Sequence, residues 1–154
     1  MVLLHDDAFD QELLAQVAPQ DWVNPKPHAR YDMVVLGGGT AGLISAAIAA
    51  GLGARVALIE RDLLGGDCLN YGCVPSKGLL SVSRRLGILR RGHDYGIAPA
   101  AGNADFGAVM TRMRRLRAGI SHHDGAARFT ALGVDVFLGK GRFTAEDAVE
   151  IMTQ

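Results

Sequence analysis

Apolar positions along the chain change their spacing at about residue 30. Before it, Phe9, Leu13 and Val17 recur every fourth position behind Asp6 and Asp7, the pattern of a short amphipathic helix with an acidic cap. Pro19, Pro25 and Pro27 then impose an extended run, so residues 1–30 read as a helix and Pro-rich linker appended to a domain, with Trp22 packed on its surface. From Tyr31 the pattern becomes strand, helix, strand. Asp32 to Leu36 is a short apolar strand, an Ala-rich helix runs from about Thr40 to Leu52 and stops at Gly51 or Gly53, and Arg55 to Glu60 is a second apolar strand. This is a βαβ unit with buried parallel strands.

Beyond Glu60 a Gly-rich loop leads to a predicted helix from about Pro75 to Arg91, with Leu79, Val82, Leu86 and Leu89 on one face. A loop with Pro99 and Gly102 reaches Asp105, a plausible cap for a long helix continuing to Leu132 and ending at Gly133. Its stripe is Phe106, Val109, Met113, Leu116 and Ile120. Val134 to Leu138 reads as a last strand, followed by Gly139 to Phe143. The fold class is therefore α/β, a Rossmann-like parallel sheet with flanking helices.

Composition narrows the function. With 49% hydrophobic and 21% charged residues, the 154-residue chain suits one globular core. Sixteen basic against sixteen acidic residues give no net charge, which favours neither nucleic acid nor an anionic membrane. Arg84, Arg85, Arg90, Arg91, Arg112, Arg114, Arg115 and Arg117 make local basic runs, read here as solvated helix faces. The apolar stretch from Ala41 to Ile59 is broken by Gly51, Gly53 and Arg55, so it reads as core and not as a membrane span. MVLLHDDAFD lacks a basic segment ahead of its apolar start, so no signal peptide is read and a cytoplasmic location is expected.

Two groups of residues carry chemistry. Gly37-Gly38-Gly39-Thr40-Ala41-Gly42 stands between the first strand and its helix, the context that gives Gly-x-Gly-x-x-Gly its meaning. Gly37 allows the tight turn, Gly39 lets a pyrophosphate approach the backbone, and Gly42 lets helix and strand touch. The helix N-terminus offers N–H groups and a positive dipole end. Glu60, ending the second strand, suits a ribose hydroxyl pair. The alternative is a Gly-rich turn with an incidental acidic residue, and the motif alone does not separate FAD from NAD.

Cys68 and Cys73 are the only cysteines, with four residues between them. A zinc site lacks further ligands at usual spacing, because His5, His28, His93, His122 and His123 are poorly placed. A structural disulfide is the plain alternative, yet cytosolic pools reduce ordinary bridges. A redox-active pair fits better: a helix starting just after Cys73, together with Lys77 one turn in, favours a thiolate.

The run Gly65-Gly66-Asp67-Cys68-Leu69-Asn70-Tyr71-Gly72-Cys73-Val74-Pro75-Ser76-Lys77 resembles the active-site signature of the class I pyridine nucleotide-disulfide oxidoreductases, which include dihydrolipoamide dehydrogenase, glutathione reductase and mercuric reductase. The resemblance runs from about Tyr31 to the end, and Asp21 to Pro25 is similar to mercuric-reductase-like chains. It implies that residues 31–154 are the first segment of an FAD-binding domain. Gly37 to Gly42 and Gly66 would hold the FAD pyrophosphate region, Glu60 the adenosine ribose, and Gly141 the adenine through its backbone. Cys73 would be the charge-transfer thiol, Cys68 the interchange thiol, and Lys77 a neighbour of the flavin ring. Electrons would pass from NAD(P)H through FAD to the cysteines and on to a small-molecule, metal-ion or disulfide acceptor. Asp67 departs from the family's usual Thr and is kept as a flavin contact.

The resemblance also implies missing parts. Members are longer and homodimeric, and their second FAD segment, NAD(P) domain, dimerisation domain and catalytic His–Glu pair lie beyond Gln154. The expectation is a truncated or split enzyme, inactive alone, with sheet edges exposed. The rival readings are a non-catalytic flavin-binding fragment, a dihydrolipoamide-dehydrogenase-type reductase, and an NAD-dependent dehydrogenase that would leave the cysteines unexplained.

Overall fold

Strand β2 (Val56–Glu60) forms the middle of a three-stranded parallel sheet, between β1 (Met33–Leu36) and β3 (Val134–Leu138). The structure is a computed structural model and describes residues 7–98 and 102–152. Pairing runs Met33 to Val56 and Val56 to Val134, so the C-terminal ends of all three strands open at one side. Every residue of β2 is buried, as a strand covered on both faces should be. The expectation of buried strands fails for β1: it lies at the sheet edge, where Val34 and Leu36 are each 42% exposed.

Helix α1 (Ala8–Val17) is capped by Asp7, whose carboxylate accepts from the N–H groups of Phe9 and Asp10. Asp6, the other cap considered, lies outside the described residues, as does Pro99. Helix α2 (Thr40–Gly51) joins β1 to β2 and buries Leu43 and Ala46, which completes the predicted βαβ unit. The apolar stretch 41–59 is therefore α2 and β2, and no helix among the described residues is long and apolar enough to cross a membrane.

The cysteine segment differs from a plain loop. It holds a five-residue helix α3 (Gly66–Asn70), and α4 (Cys73–Arg90) begins two residues earlier than predicted, with Gly72 as cap. Pro75 does not delay it, because a first-turn residue has no intrahelical N–H bond to lose. A short 3₁₀ turn follows over Gly92–Tyr95.

The long C-terminal helix is also two helices, α5 (Phe106–Asp124) and α6 (Ala126–Ala131). Gly125 breaks them because the end of α1 crosses there: a Cβ at Gly125 would sit 3.1 Å from the Gln16 carbonyl oxygen. The buried face of α5 is Met113, Arg117, Ala118 and Ser121, while Phe106 and Ile120 of the predicted stripe face out. The reading of all eight arginines as solvated is corrected accordingly. Arg114 bonds Asp7, and Arg117 bonds Asp10 at 3.3 Å with both side chains buried. A pair this enclosed is strongly destabilised when one partner is lost.

Residues after β3 form a hairpin that periodicity did not reveal, β4 (Lys140–Ala145) with β5 (Ala148–Met152). It covers one face of the sheet, where Ala57, Ile59 and Phe137 pack with Val149 and Ile151. On the other face, Leu13 and Val17 of α1 join Leu43, Leu58, Leu64, Leu69 and Phe129 in the larger core. Both α1 residues are fully buried, each worth about 1.5–3 kcal/mol of transfer free energy. The N-terminal segment is thus bound into the core, and Trp22 and Asn24 extend it along β3.

Candidate functional site

Where β1 ends, the chain turns at Gly37, whose φ of +105° favours glycine. Its N–H donates to the Ile59 carbonyl at 2.8 Å, tying the turn to β2. Gly38 is enclosed beneath it and donates to Glu60 Oε2 at 2.6 Å. Gly39 caps α2 without a side chain, so the helix's first N–H groups face open space. Gly42 allows α2 to lie against the turn: a Cβ there would come within 1.9 Å of the Gly37 oxygen.

The start of α3 is pressed against the same turn. Gly65 donates to the Gly38 carbonyl at 2.8 Å, and a Cβ on Gly66 would lie 2.7 Å from Gly39 Cα. Two glycines therefore bring the cysteine-bearing helix to the mouth of α2. Asn70, buried in α3, holds the bend by donating to the carbonyls of Leu64 and Gly66.

Two cavities open on either side of this junction. One, of about 460 Å³, is lined by Glu60, Gly66, Asp67, Tyr71, Gly139 and Gly141 among others. The second, of about 730 Å³, is lined by Gly39, Thr40, Ala41, Gly42, Cys68 and Cys73 among others. Leu36, Gly37 and Asp67 border both. Such volumes suit small ligands and cofactors. The bridge of Gly37 between them suits an elongated molecule with a charged middle.

Glu60 is 8% exposed, and its other oxygen accepts from the Asp62 N–H at 2.7 Å. Two backbone donors thus fix a carboxylate that retains lone pairs for further donors. Gly141 sits at the start of the hairpin, where a Cβ would meet Leu36 Cδ2 at 2.6 Å. Asp67 is exposed on the wall common to both cavities, so its charge faces whatever bridges them.

Cys68 is half-buried on α3, Cys73 is exposed at the first position of α4, and both are free thiols. Their side chains line the same cavity, near enough for Cys68 to act on Cys73. Hydrogen bonding and charge at Cys68 push the Cys73 thiol up, and the nearby Lys77 only partly offsets them. The expected thiolate at Cys73 is corrected on this point: its neighbour sulfur outweighs the lysine. Lys77 lies exposed one turn along α4 and acts on Cys73 through charge, lining neither cavity. Among the described residues no group of His, Cys, Asp and Glu could hold a metal ion.

Sequence reasoning missed Tyr71, Ser45 and Met33 as lining residues. Tyr71 stands inside the cysteine motif, where an aromatic amid small residues was a usable signal. Ser45 and Met33 carried no signal, since only the packing of β1 against α2 turns them to the cavity.

The glycines leave a cradle that side chains would fill, the smaller cavity is lined by a fixed carboxylate, and the larger one by both cysteines. These residues fit a flavin dinucleotide, with the exposed Asp67 an unfavourable charge on the wall common to both cavities.

Comparison with known proteins agrees. A family model described as pyridine nucleotide-disulphide oxidoreductase matches residues 31–152. The dihydrolipoyl dehydrogenase of Bacillus subtilis is 37% identical over 116 residues, covering 73% of this chain and 23% of that protein. The mercuric reductase of Lysinibacillus sphaericus is 31% identical over 121 residues, covering 79% and 22%. Among solved structures, the Cu(II) complex of the HOCl-induced flavoprotein disulfide reductase RclA from Escherichia coli shares the fold, with a TM-score of 0.62 at 24% identity over 78% of this chain and 24% of that one. The chain spans about a quarter of the length of these relatives.

Proposed function

The chain belongs to the pyridine nucleotide-disulphide oxidoreductase family, and from that premise we propose that it supplies the FAD-binding, dithiol-bearing part of a mercuric-reductase-like or dihydrolipoyl-dehydrogenase-like enzyme. The observation that carries the reading is that Cys68 and Cys73 line one cavity together with the turn Gly39 to Gly42.

FAD, when bound, supplies two-electron transfer between a nicotinamide donor and the sulfurs. This chain's residues bind and align it. The N–H groups at the start of α2 meet the pyrophosphate, with Gly37, Gly39 and Gly42 keeping side chains out of its path. Glu60 accepts from ribose hydroxyls, held in aim by Gly38 and Asp62. Gly66 and Gly141 allow close approach. Cys68 and Cys73 exchange two S–H bonds for one S–S bond, releasing two electrons and two protons on oxidation and taking up the same on reduction. Cys73 is assigned the flavin side and Cys68 the acceptor side. Lys77 lends positive charge to the Cys73 sulfur.

NAD(P)H as donor, a small-molecule, metal-ion or disulfide acceptor and a homodimeric whole enzyme are part of this reading, supported by the family likeness. A cytoplasmic site follows from the need to keep such thiols in redox exchange.

The test is flavin titration of the purified chain, followed by optical absorption and thiol counting. Stoichiometric FAD binding, with two thiols lost together on mild oxidation and regained on reduction, is expected. Absence of flavin binding at saturating FAD would reject the reading.

A further inference from the structure

The family match begins at residue 31, and among the described residues none before it lines either of the two cavities. Yet residues 7–24 are held at both ends and touch the cysteine segment in the middle. At the start, Asp7 bonds Arg114, Asp10 bonds Arg117 at 3.3 Å, and Glu12 meets His122 at 2.9 Å, so α1 lies along α5. At the far end, the Trp22 ring N–H donates to the Val136 carbonyl, and Asn24 both donates to the Leu138 carbonyl and accepts from its N–H. Between these anchors, the Val17 carbonyl accepts from the Leu64 N–H at 3.2 Å.

Leu64 immediately precedes Gly65 and Gly66, the glycines that press α3 against the nucleotide turn. Leu13 and Val17 share one buried cluster with Leu63, Leu64 and Leu69, the last being the residue next to Cys68. The segment 61–65 has no helix or strand of its own. Beyond the Asn70 bond to the Leu64 carbonyl and the Gly65 bond to Gly38, its position is set by what packs on it, and on this side that is α1.

We propose that residues 7–24 form a positioning strap that holds Leu64 and so sets the seating of Cys68, leaving it half-buried while Cys73 stays open. The strap acts through backbone and apolar contacts and touches neither sulfur. Loosening it frees α3 by a local opening, without melting the sheet. Cys68 then becomes accessible, whereas Cys73, already exposed on α4, gains no access; labelling is compared at alkaline pH, so that loss of the Cys68 neighbour does not alter the Cys73 rate. The inference concerns thiol access alone and stands whether or not a flavin binds.

The experiment uses the full chain, reduced and without cofactor. Iodoacetamide is applied to Leu13→Ala and, as a milder truncation, Val17→Ala, and labelling of each cysteine is followed by mass spectrometry. Ile151→Ala, on the opposite sheet face and away from the Val136 and Leu138 anchors, serves as a variant that weakens the core without touching the strap. Cys68 labelling should rise about tenfold in the strap variants, with Cys73 changing less than about twofold and the Leu64 amide losing hydrogen-exchange protection. Val17→Ile should restore the parent rate. The proposal is overturned if Cys68 labelling is unchanged in the folded Val17→Ala protein. Equal acceleration by Ile151→Ala, or equal acceleration of both cysteines, would overturn it too, since these mark general destabilisation.

Discussion

Cys73 and Cys68 line one cavity, and hydrogen bonding and charge at Cys68 raise the Cys73 thiol by more than Lys77 lowers it. A charge on the Cys68 sulfur opposes a charge on Cys73. Replacing Cys68 by Ala removes both the hydrogen bond and the charge, leaving Lys77 and the start of α4 to act alone. The Cys73 thiol should then ionise at lower pH than in the parent, seen as ultraviolet thiolate absorbance against pH. Adding Lys77→Met should raise it again. An unchanged Cys73 titration in Cys68→Ala would contradict the coupling.

The glycines of the nucleotide turn separate into two kinds. A Cβ at Gly42 would lie 1.9 Å from the Gly37 oxygen, so Gly42→Ala forces α2 off β1, at a cost of about 1–3 kcal/mol. A Cβ at Gly39 meets only Gly66 Cα at 3.9 Å. Gly39→Ala should keep the fold, losing about 0.5–1 kcal/mol from a poorer helix cap, while it blocks the approach of a pyrophosphate. Thermal melts and FAD titration of the two variants separate these outcomes.

Two aspartates give acid stability of opposite sign. Burial pushes the Asp7 carboxyl up, but the Asp10 N–H and Arg114 outweigh it, and the group ends below its ordinary 3.8. A depressed carboxyl contributes stability that is full above 3.8 and lost as pH falls through the lower folded value. Asp124, at the negative end of α5, is raised by burial in spite of Arg128 and His123. It favours the folded state below 3.8 and loses that contribution as pH rises through its elevated value. Asp124→Asn should therefore raise the melting temperature at pH 7, and Asp7→Asn should lower it there. Melts from acid to neutral pH check both slopes.

Asp67 borders both cavities beside Gly37, where a bridging pyrophosphate would pass. Like charges repel there, screened by solvent because the side chain is exposed. Asp67→Thr should tighten FAD binding by about two- to tenfold and reduce its dependence on salt. Titrations at low and high ionic strength would disprove this by giving parent affinity at both.

Much of the site was legible because its chemistry is local. Gly37 to Gly42 lies between a strand and a helix whose apolar periods are plain, and the Cys68 to Lys77 run is compact enough to be read as a unit. The helix boundary at Cys73 was harder, since Pro75 looks like a start when it occupies a first-turn place. Gly125 was illegible as a break, because only the crossing of Gln16 makes a side chain there unwelcome.

The order of residues by itself determined the βαβ unit, the glycine turn between its first strand and helix, and the closeness of two cysteines, because each depends on neighbours within a few turns of chain. Tertiary structure alone decided that Arg114 and Arg117 are bonded to Asp7 and Asp10, that Val17 grips Leu64, and that Gly141 meets Glu60's cavity. Those contacts join positions more than forty residues apart, or faces whose burial no periodic pattern encodes, so they exist only once helices and strands have packed.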